Sequence, residues 1–199
     1  MSPALVDNSL SPHGGRLIER VATRQEIKEK WPSGLAALPS IGVRDQIARE
    51  CVNIAYGFFS PLEGFMGRAD VDAVAQHMTL ASGYIWSIPI VFDLSQAALD
   101  RLGVKPGDAL LLTYRQQPVA VLEIEEIYPY DREFLARQIC GTTDPAHPGV
   151  ARTAAYQDRF LAGPLTLVNP PRINPPFDRF WLTPRQLRPV MSMPAIDGS

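Results

Sequence analysis

Cysteine and histidine are scarce in this sequence, and their scarcity limits the chemistry that it can support. The 199 residues include two cysteines, Cys51 and Cys140, and three histidines, His13, His77 and His147. Two isolated thiols form neither a disulfide framework nor a zinc site. We therefore expect both cysteines to be free thiols in a reducing cytoplasm, and we expect no metal-ligating residues.

Long apolar runs and a surplus of positive charge are absent as well. No run approaches the ~20 apolar residues that a membrane span needs, and residues 1–11 lack the basic and apolar regions of a signal peptide. The 19 Lys and Arg residues are outnumbered by 21 Asp and Glu residues and are spread along the chain, which gives a net charge of −2. This balance argues against nucleic acid and membrane surfaces as partners, since both usually contact a basic face.

Proline is abundant instead, and it divides the chain. The 19 prolines are densest at 169–176, which reads Asn-Pro-Pro-Arg-Ile-Asn-Pro-Pro. Proline fixes φ and removes backbone donors, so this segment is predicted to be an extended connector rather than a helix or a central strand. A length of 199 residues suits one domain with a short appendage. We therefore predict a folded domain over residues 1–168, followed by a connector and a further segment over residues 169–199.

Several segments carry the start and stop signals of short helices. Thr23 with Glu26 forms a capping-box pattern for one of them. In others, a polar capping residue opens the helix and a glycine in the left-handed conformation ends it. The predicted helices are one that runs towards Trp31, one behind Ala69 or Asp70 with Val71, Val74, Ala75 and Met78 on its apolar face, one from Ser95 to Gly103, one from Asp131 to Gly141, and one over 153–162.

Strand signals lie between these helices. The apolar, β-branched stretch 88–92 is predicted to be a strand, and Pro89 places it at an edge or an irregular position. The stretches 110–114 and 119–127 are predicted to form a hairpin around a loop at 115–118. Short helices and hairpins without repeated βαβ units indicate an α+β fold with an antiparallel or barrel-like sheet.

Five motifs follow one another along the chain. The longest, at 54–66, reads Ile-Ala-Tyr-Gly-Phe-Phe-Ser-Pro-Leu-Glu-Gly-Phe-Met, a turn-rich segment whose glycines permit unusual backbone angles and whose aromatic residues supply anchors. The others are Ser-Pro-His-Gly-Gly at 11–15, Trp-Ser-Ile-Pro-Ile at 86–90, Pro-Val-Ala-Val-Leu at 118–122, and Cys-Gly-Thr-Thr-Asp at 140–144 with His-Pro-Gly-Val at 147–150. Together they resemble the amino-terminal, PUA-like domain of ATP sulfurylase (sulfate adenylyltransferase) over about residues 13–183.

This resemblance implies a PUA-like fold, which is an α+β mixed or antiparallel β-barrel with short flanking helices. In the family this domain precedes a nucleotidyltransferase domain, which transfers the adenylyl group of ATP to sulfate and releases pyrophosphate. The whole enzyme would use ATP with Mg²⁺, whereas this chain would hold no cofactor of its own. The implied partners are that catalytic domain, in cis or in trans, and a further copy of the chain in a homo-oligomer.

The motifs of that catalytic domain do not occur in these 199 residues. They are Gln-Thr-Arg-Asn-Pro-x-His-x-x-His and Gly-Arg-Asp-His, whose positive and hydrogen-bonding groups would neutralise phosphate and sulfate oxygens. The three histidines are more than sixty positions apart, so no His-x-x-His exists. The helix start at 183–186 resembles the first helix of the catalytic domain, but Pro189 and Pro194 are expected to break its continuation. We therefore expect the chain to be inactive alone, with no catalytic or cofactor-binding residue, whether it is a fragment or a naturally short protein.

Two of the motifs are candidate contact sites for the catalytic domain. We predict a domain interface at six of their residues: Phe59, Ser60, Pro61, His147, Pro148 and Gly149. His147 near Asp144 would also suit acid–base chemistry, but the surrounding prolines and glycine favour a structural loop. The alternative function is a free-standing PUA-like module that binds RNA or a small ligand, and a third is a subunit supplied in trans to a separate catalytic chain.

Overall fold

Short helices and short strands alternate along the chain. The computed structural model describes residues 11–171 and 174–191. Its helices are α1 (Arg24–Lys30), α2 (Asp45–Ala55), α3 (Arg68–His77), α4 (Gln96–Leu102), α5 (Arg132–Cys140), α6 (Pro148–Ala154) and α7 (Pro184–Met191), with 3-10 turns at Leu35–Ala37 and Phe177–Phe180. Its strands are β1 (Ser40–Gly42), β2 (Gly64–Phe65), β3 (Phe92–Leu94), β4 (Ala109–Tyr114), β5 (Gln117–Glu123), β6 (Glu126–Tyr128) and β7 (Arg159–Leu167). The predicted α+β class is confirmed.

The strands form one mixed sheet that curls around β7. The order is β1-β4-β5-β7-β2, and β3 and β6 also pair with β7. Among the strands of the described residues, β1 and β4 pair in parallel, whereas the other pairs are antiparallel. Because β7 pairs with four strands at successive positions, the sheet bends into a partial barrel, with its short helices outside.

Two glycines allow β2 to cross β7 closely. A Cβ atom on Gly64 would lie 1.7 Å from the Gly163 carbonyl oxygen. Gly163 itself has a φ of 142°, and a Cβ atom there would lie 2.0 Å from the Glu123 carbonyl oxygen. Any larger residue would push the backbones apart at both positions. This crossing fixes the 54–66 motif against the barrel.

The main core lies between the curled sheet and helices α2 and α3. Leu110 and Leu112 of β4 and Leu122 of β5 are fully buried, and they share one cluster with Ile54 of α2 and Val74 of α3. Successive residues of a strand point to opposite faces, so Leu111 of β4 joins a second, smaller cluster. That cluster attaches α1 to the sheet.

Most of the predicted helix boundaries are confirmed. The Thr23 hydroxyl accepts from the Glu26 amide at 3.2 Å, and the Glu26 carboxylate accepts from the Thr23 amide at 2.7 Å, which completes the capping box of α1. The other confirmed signals are Ser95 and Gly103 for α4, Asp131 and Gly141 for α5, and Thr183 with Gln186 for α7. No helix in the described ranges is both long and apolar enough to cross a membrane.

The prediction of a strand at 88–92 is wrong, because the strand there begins only at Phe92. Pro89 has no amide hydrogen to give to a ladder. The next amide, that of Ile90, donates to the Met66 sulfur at 3.4 Å instead of to a strand. Residues 88–91 therefore form an irregular segment, and the Ile88 side chain is 59% exposed.

The prediction of a helix over 153–162 is also wrong. The helix in this region is α6, which ends at Ala154, and residues 159–167 form β7. The apolar residues of β7 are buried on both faces, so they follow one another without the alternation that marks a strand with one wet face. A continuous apolar run of this kind fits either type of element in sequence alone.

Smaller differences concern the ends of elements. Helix α3 is capped by Gly67, whereas Asp70 accepts from the Ala81 amide at 2.9 Å. Met78 is not on a buried face but ends α3 in a left-handed conformation with 58% exposure. The hairpin loop is two residues long, since Gln117 and Pro118 already pair with β4. Pro189 lies inside α7, which continues to Met191, and Pro194 lies outside the described residues.

Candidate docking surfaces

Most of the large apolar side chains that remain exposed in the described residues fall in two short stretches of the chain. The 78–88 surface consists of Met78, Tyr84, Ile85 and Ile88. The 177–191 surface consists of Phe177, Phe180, Leu182, Leu187, Val190 and Met191. Grouped exposed apolar residues mark contact sites for another protein surface, whereas isolated ones need no explanation.

The 78–88 surface is built on a tight loop after α3. The Leu80 amide donates to the Tyr84 carbonyl and the Trp86 amide donates to the Met78 carbonyl, both at 2.8 Å. These bonds hold the loop closed and turn Ile85 outward, where 75% of it is exposed. The loop is therefore a defined support for its apolar side chains.

Aromatic contacts fasten this loop to the 11–15 and 54–66 motifs. The Trp86 ring packs edge-on against Phe59 at 6.1 Å, and its indole nitrogen donates to the Ile88 carbonyl at 2.8 Å. The His13 ring lies 5.6 Å from Tyr84, and its Nε2 is 2.9 Å from the Ile85 carbonyl oxygen. Three motifs that are distant in sequence thus meet at one surface.

The residues predicted as an interface at 59–61 divide into a contact residue and two supports. Phe59 is half-buried at the edge of the 78–88 surface. Ser60 is buried, where its hydroxyl donates to the Gly57 carbonyl at 2.8 Å and accepts from the Ile18 amide at 3.0 Å. Pro61 is half-buried against Gly14, at which a Cβ atom would lie 2.6 Å from the proline ring. An interface role for these residues stays a prediction.

The residues predicted at 147–149 begin a helix. His147 is the N-cap of α6, its Nδ1 accepts from the Gly149 amide at 3.1 Å, and Pro148 occupies the first helical position. The Asp144 carboxylate accepts from the Ala146 amide at 2.9 Å rather than pairing with the His147 ring. His147, Pro148 and Gly149 thus form the start of α6, whereas Phe59 lies beside Trp86, and an interface role for the three residues stays a prediction.

The 177–191 surface follows from the amphipathic pattern of α7. Leu187, Val190 and Met191 recur at the spacing of one helical face, and no residue of α7 or of the 3-10 turn before it is buried. The contacts of this segment with the barrel include an ion pair and a ring contact. Arg185 forms an ion pair with Glu19, and Trp181 packs edge-on against Tyr56 at 5.1 Å.

Three ionisable groups lie wholly or partly buried in the barrel. Asp93 is fully enclosed, and its carboxylate accepts from Arg44 at 2.6 Å and from the Gln157 amide at 2.9 Å. Burial raises the pKa of Glu50, one of whose carboxylate oxygens is buried without a partner. Burial likewise raises the pKa of the Cys51 thiol, which lies in the core. Across residues 11–171 and 174–191, no three or more His, Cys, Asp or Glu residues are grouped so as to hold a metal ion.

Sequence reasoning missed most of both surfaces. Ile88 was expected in a strand, and neither Tyr84 nor Ile85 was a candidate. The available signal was weak: apolar residues in a short stretch between Gly83 and Pro89, two residue types that interrupt regular structure.

Comparisons with known proteins identify a family for this chain. A family model described as a PUA-like domain matches residues 10–170, which confirms the predicted fold. The sulfate adenylyltransferase of Hyperthermus butylicus is 39% identical over 178 residues, which cover 89% of this chain and 44% of the relative. That of Archaeoglobus fulgidus is 37% identical over 198 residues, covering 90% of this chain and 43% of the relative.

A further relative and a solved structure extend these matches. The sulfate adenylyltransferase of Cenarchaeum symbiosum is 39% identical over 165 residues, covering 83% of this chain and 41% of the relative. A structure titled as a hexameric APS kinase from Thiobacillus denitrificans shares the fold, with a TM-score of 0.65 and 24% identity over 91% of this chain and 31% of that one. The chain thus spans less than half the length of the sulfate adenylyltransferases that it matches.

Proposed function

The chain belongs to the family of PUA-like domains, and from this membership we propose that it serves as the non-catalytic, amino-terminal part of a sulfate adenylyltransferase. The whole enzyme, with ATP and Mg²⁺, transfers an adenylyl group to sulfate. This chain braces the catalytic domain, which is joined to it in cis or supplied in trans.

The two motifs of the catalytic domain do not occur in these 199 residues, and this supports the non-catalytic part of the proposal. Adenylyl transfer needs several cationic and hydrogen-bonding groups converging on crowded phosphate oxygens. Several arginines of the barrel are already paired: Arg44 with Asp93, Arg16 and Arg20 with Glu63, and Arg49 with Asp45. These four guanidinium groups are thus engaged by carboxylates of the barrel.

The observation that carries the bracing role is the 177–191 surface. Its six apolar side chains are exposed, and none of the described residues 174–191 is buried. Burying apolar area against a partner stabilises both surfaces by about 25 cal/mol per Å². More than half of the length of the Hyperthermus butylicus relative lies outside the matched region. That unmatched part is the proposed partner of the 177–191 surface.

An activity assay tests the non-catalytic role. The 199-residue chain is incubated with ATP, Mg²⁺ and sulfate, and pyrophosphate release is compared with that of the complete Hyperthermus butylicus relative. We expect release from the relative and none from the chain. Adenosine 5′-phosphosulfate made by the chain alone would contradict the proposal.

A binding assay tests the bracing role. The partner is the part of the Hyperthermus butylicus relative that this chain does not match, and association is measured by calorimetry. We expect Leu187→Asp in the 177–191 surface to weaken association about tenfold or more, because it places a charge in an apolar contact. Arg101→Asp on the exposed side of α4, outside both surfaces, is the control and should leave association unchanged. An equal loss for both variants, or no association of the unchanged chain, would count against this docking site.

A further inference from the structure

A groove runs along the face of α2 that points away from the main core. The other face of this helix, with Ile47 and Ile54, lies in the core. The groove encloses about 780 Å³ between α2, the turn from β4 to β5, and the first residues of the connector, and this volume suits a short stretch of peptide. Its residues on α2 recur at the spacing of one helical face: Asp45, Ala48, Arg49, Val52 and Asn53.

The lining carries one positive charge that lacks a counter-charge. Asp45 is engaged by Arg49 at 2.7 Å and by the Tyr114 hydroxyl, which donates to it at 3.0 Å. Arg115 packs over the Tyr114 ring at 5.1 Å and pairs with no carboxylate of the described residues. A ligand with a single negative charge would therefore balance the groove.

The turn that carries Arg115 has an uncommon geometry for its sequence. Arg115 and Gln116 have φ values of 49° and 62°, so both central residues of the hairpin turn are left-handed. Turns of this geometry favour Asn-Gly, because most other side chains are strained there. Strained backbone positions are concentrated at binding and catalytic sites, so the position of Arg115 at a groove points to a ligand.

Three carboxamide side chains supply neutral hydrogen-bonding groups. Asn53 and Gln117 line the groove and make no side-chain hydrogen bond within the described ranges. Asn169 donates to the Pro118 carbonyl at 3.1 Å, which leaves its own side-chain oxygen available. Each carboxamide can both donate and accept, which matches the N–H and C=O groups of a peptide unit.

The remaining lining is apolar. It includes Val52, Val119, Pro170 and the half-buried indole of Trp181. The Trp181 ring is held edge-on against Tyr56 at 5.1 Å. The groove therefore combines an apolar floor, neutral hydrogen-bonding groups and one cation.

We propose that this groove binds the carboxyl-terminal residues of another polypeptide. The α-carboxylate pairs with Arg115, whose two parallel N–H groups match a carboxylate, the peptide groups bond to the carboxamides, and apolar side chains lie against Trp181 and Val52. A phosphate monoester carries about −1.5 to −2 charge and would need a second free cation. An acid without amide groups would leave the carboxamides unused.

The site is separate from the proposed bracing role. No lining residue of the groove belongs to the 78–88 surface or to the 177–191 surface. Its tests use the 199-residue chain without a catalytic domain, so the failure of either proposal leaves the other standing.

The first experiment compares two forms of one peptide by isothermal titration calorimetry. Acetyl-Ala-Leu-Leu with a free carboxylate and the same peptide with a carboxyl-terminal amide are titrated into the chain. We expect the free acid to bind, and the amide to bind about tenfold more weakly or worse, since it loses the charge-assisted pair. Equal affinities, or no binding of the free acid at millimolar concentration, would overturn the proposal.

A matched pair of variants locates the site. Arg115→Gly removes the guanidinium, and Gln116→Gly leaves it in place. Both put glycine at a left-handed position, so neither should lower the thermal midpoint of unfolding. We expect Arg115→Gly to bind acid and amide with equal, weak affinity, and Gln116→Gly to keep the preference for the acid within about twofold. A full preference for the acid in Arg115→Gly would exclude this groove as the site.

A third arm distinguishes the end of a polypeptide from a free amino-acid derivative. Acetyl-leucine has the same carboxylate as the tripeptide but only one amide group. We expect it to bind about tenfold more weakly or worse, because it loses hydrogen bonds to the carboxamides and apolar contacts. Equal affinities of acetyl-leucine and the tripeptide would overturn the assignment to a polypeptide.

Discussion

The barrel and the segment that follows it use apolar residues in opposite ways. In residues 11–168 most of the large apolar side chains of β4, β5 and β7 are buried in a common core. In residues 174–191 no side chain is buried, although α7 has the apolar spacing of a helix that packs against something. The difference shows that amphipathic spacing specifies which face of a helix is apolar. It does not specify which other segment or chain buries that face.

The two regions also differ in what stabilises their backbone. Strand β7 pairs with four neighbours, so its hydrogen bonds depend on the whole barrel. Helix α7 is eight residues long, and helices of this length are marginal in water without tertiary packing. We therefore expect the free energy of global unfolding to depend on the barrel and to change little when residues 174–191 are altered.

The largest effect should separate a buried leucine from an exposed one. Leu110→Ala empties a fully buried position and should lower the free energy of unfolding by about 3 kcal/mol. Leu187→Ala, in α7, should change it by less than about 0.5 kcal/mol. Urea denaturation followed by circular dichroism measures both. Similar losses would mean that α7 folds as part of the core.

A second comparison concerns two ion pairs of different burial. Arg44→Ala leaves the enclosed Asp93 carboxylate without its cation and should cost about 2 kcal/mol. Arg185→Ala removes the pair with Glu19 on the exposed segment and should have no measurable effect on global unfolding. The same denaturation experiment tests both, and a larger loss for Arg185→Ala would reverse the assignment.

A third comparison uses two capping boxes of the same design. Thr23→Ala removes the cap of α1, which packs on the sheet through Trp31, and should cost about 1 kcal/mol. Thr183→Ala removes the cap of α7 and should leave the free energy of unfolding unchanged. If the two variants lose the same amount, the last segment is as firmly coupled to the barrel as α1.

The smallest effect should depend on pH. Burial raises the pKa of Glu50 above its ordinary 4.5 in the folded protein. Ionisation therefore opposes folding as pH rises from about 4.5 through the raised pKa, and it opposes folding fully above that. Glu50→Gln should be more stable than the unchanged chain at pH 7.5 and not at pH 4.5, with Glu19→Gln as an exposed control that shows no gain. A loss of stability in Glu50→Gln at pH 7.5 would show that the charged form is favoured.

Local signals in the sequence predicted local structure well. The capping boxes of α1 and α7, and the left-handed glycines that end α4 and α5, depend on residues within one or two turns of each other. The ordered motifs likewise sufficed to identify the PUA-like family. The candidate surfaces were harder to predict from the sequence. Of the residues predicted as an interface, Phe59 lies beside the 78–88 surface.

The amino-acid sequence by itself determined the ends of α4 and α5, the hairpin, the fold family and the absence of adenylyl-transfer motifs. The tertiary structure alone decided that 159–167 is a strand and that the loop at 78–88 exposes its apolar side chains. The physical reason is the range of the interactions. Caps and turns are satisfied by neighbours in sequence, whereas burial, strand pairing and the lining of a groove depend on residues from distant segments.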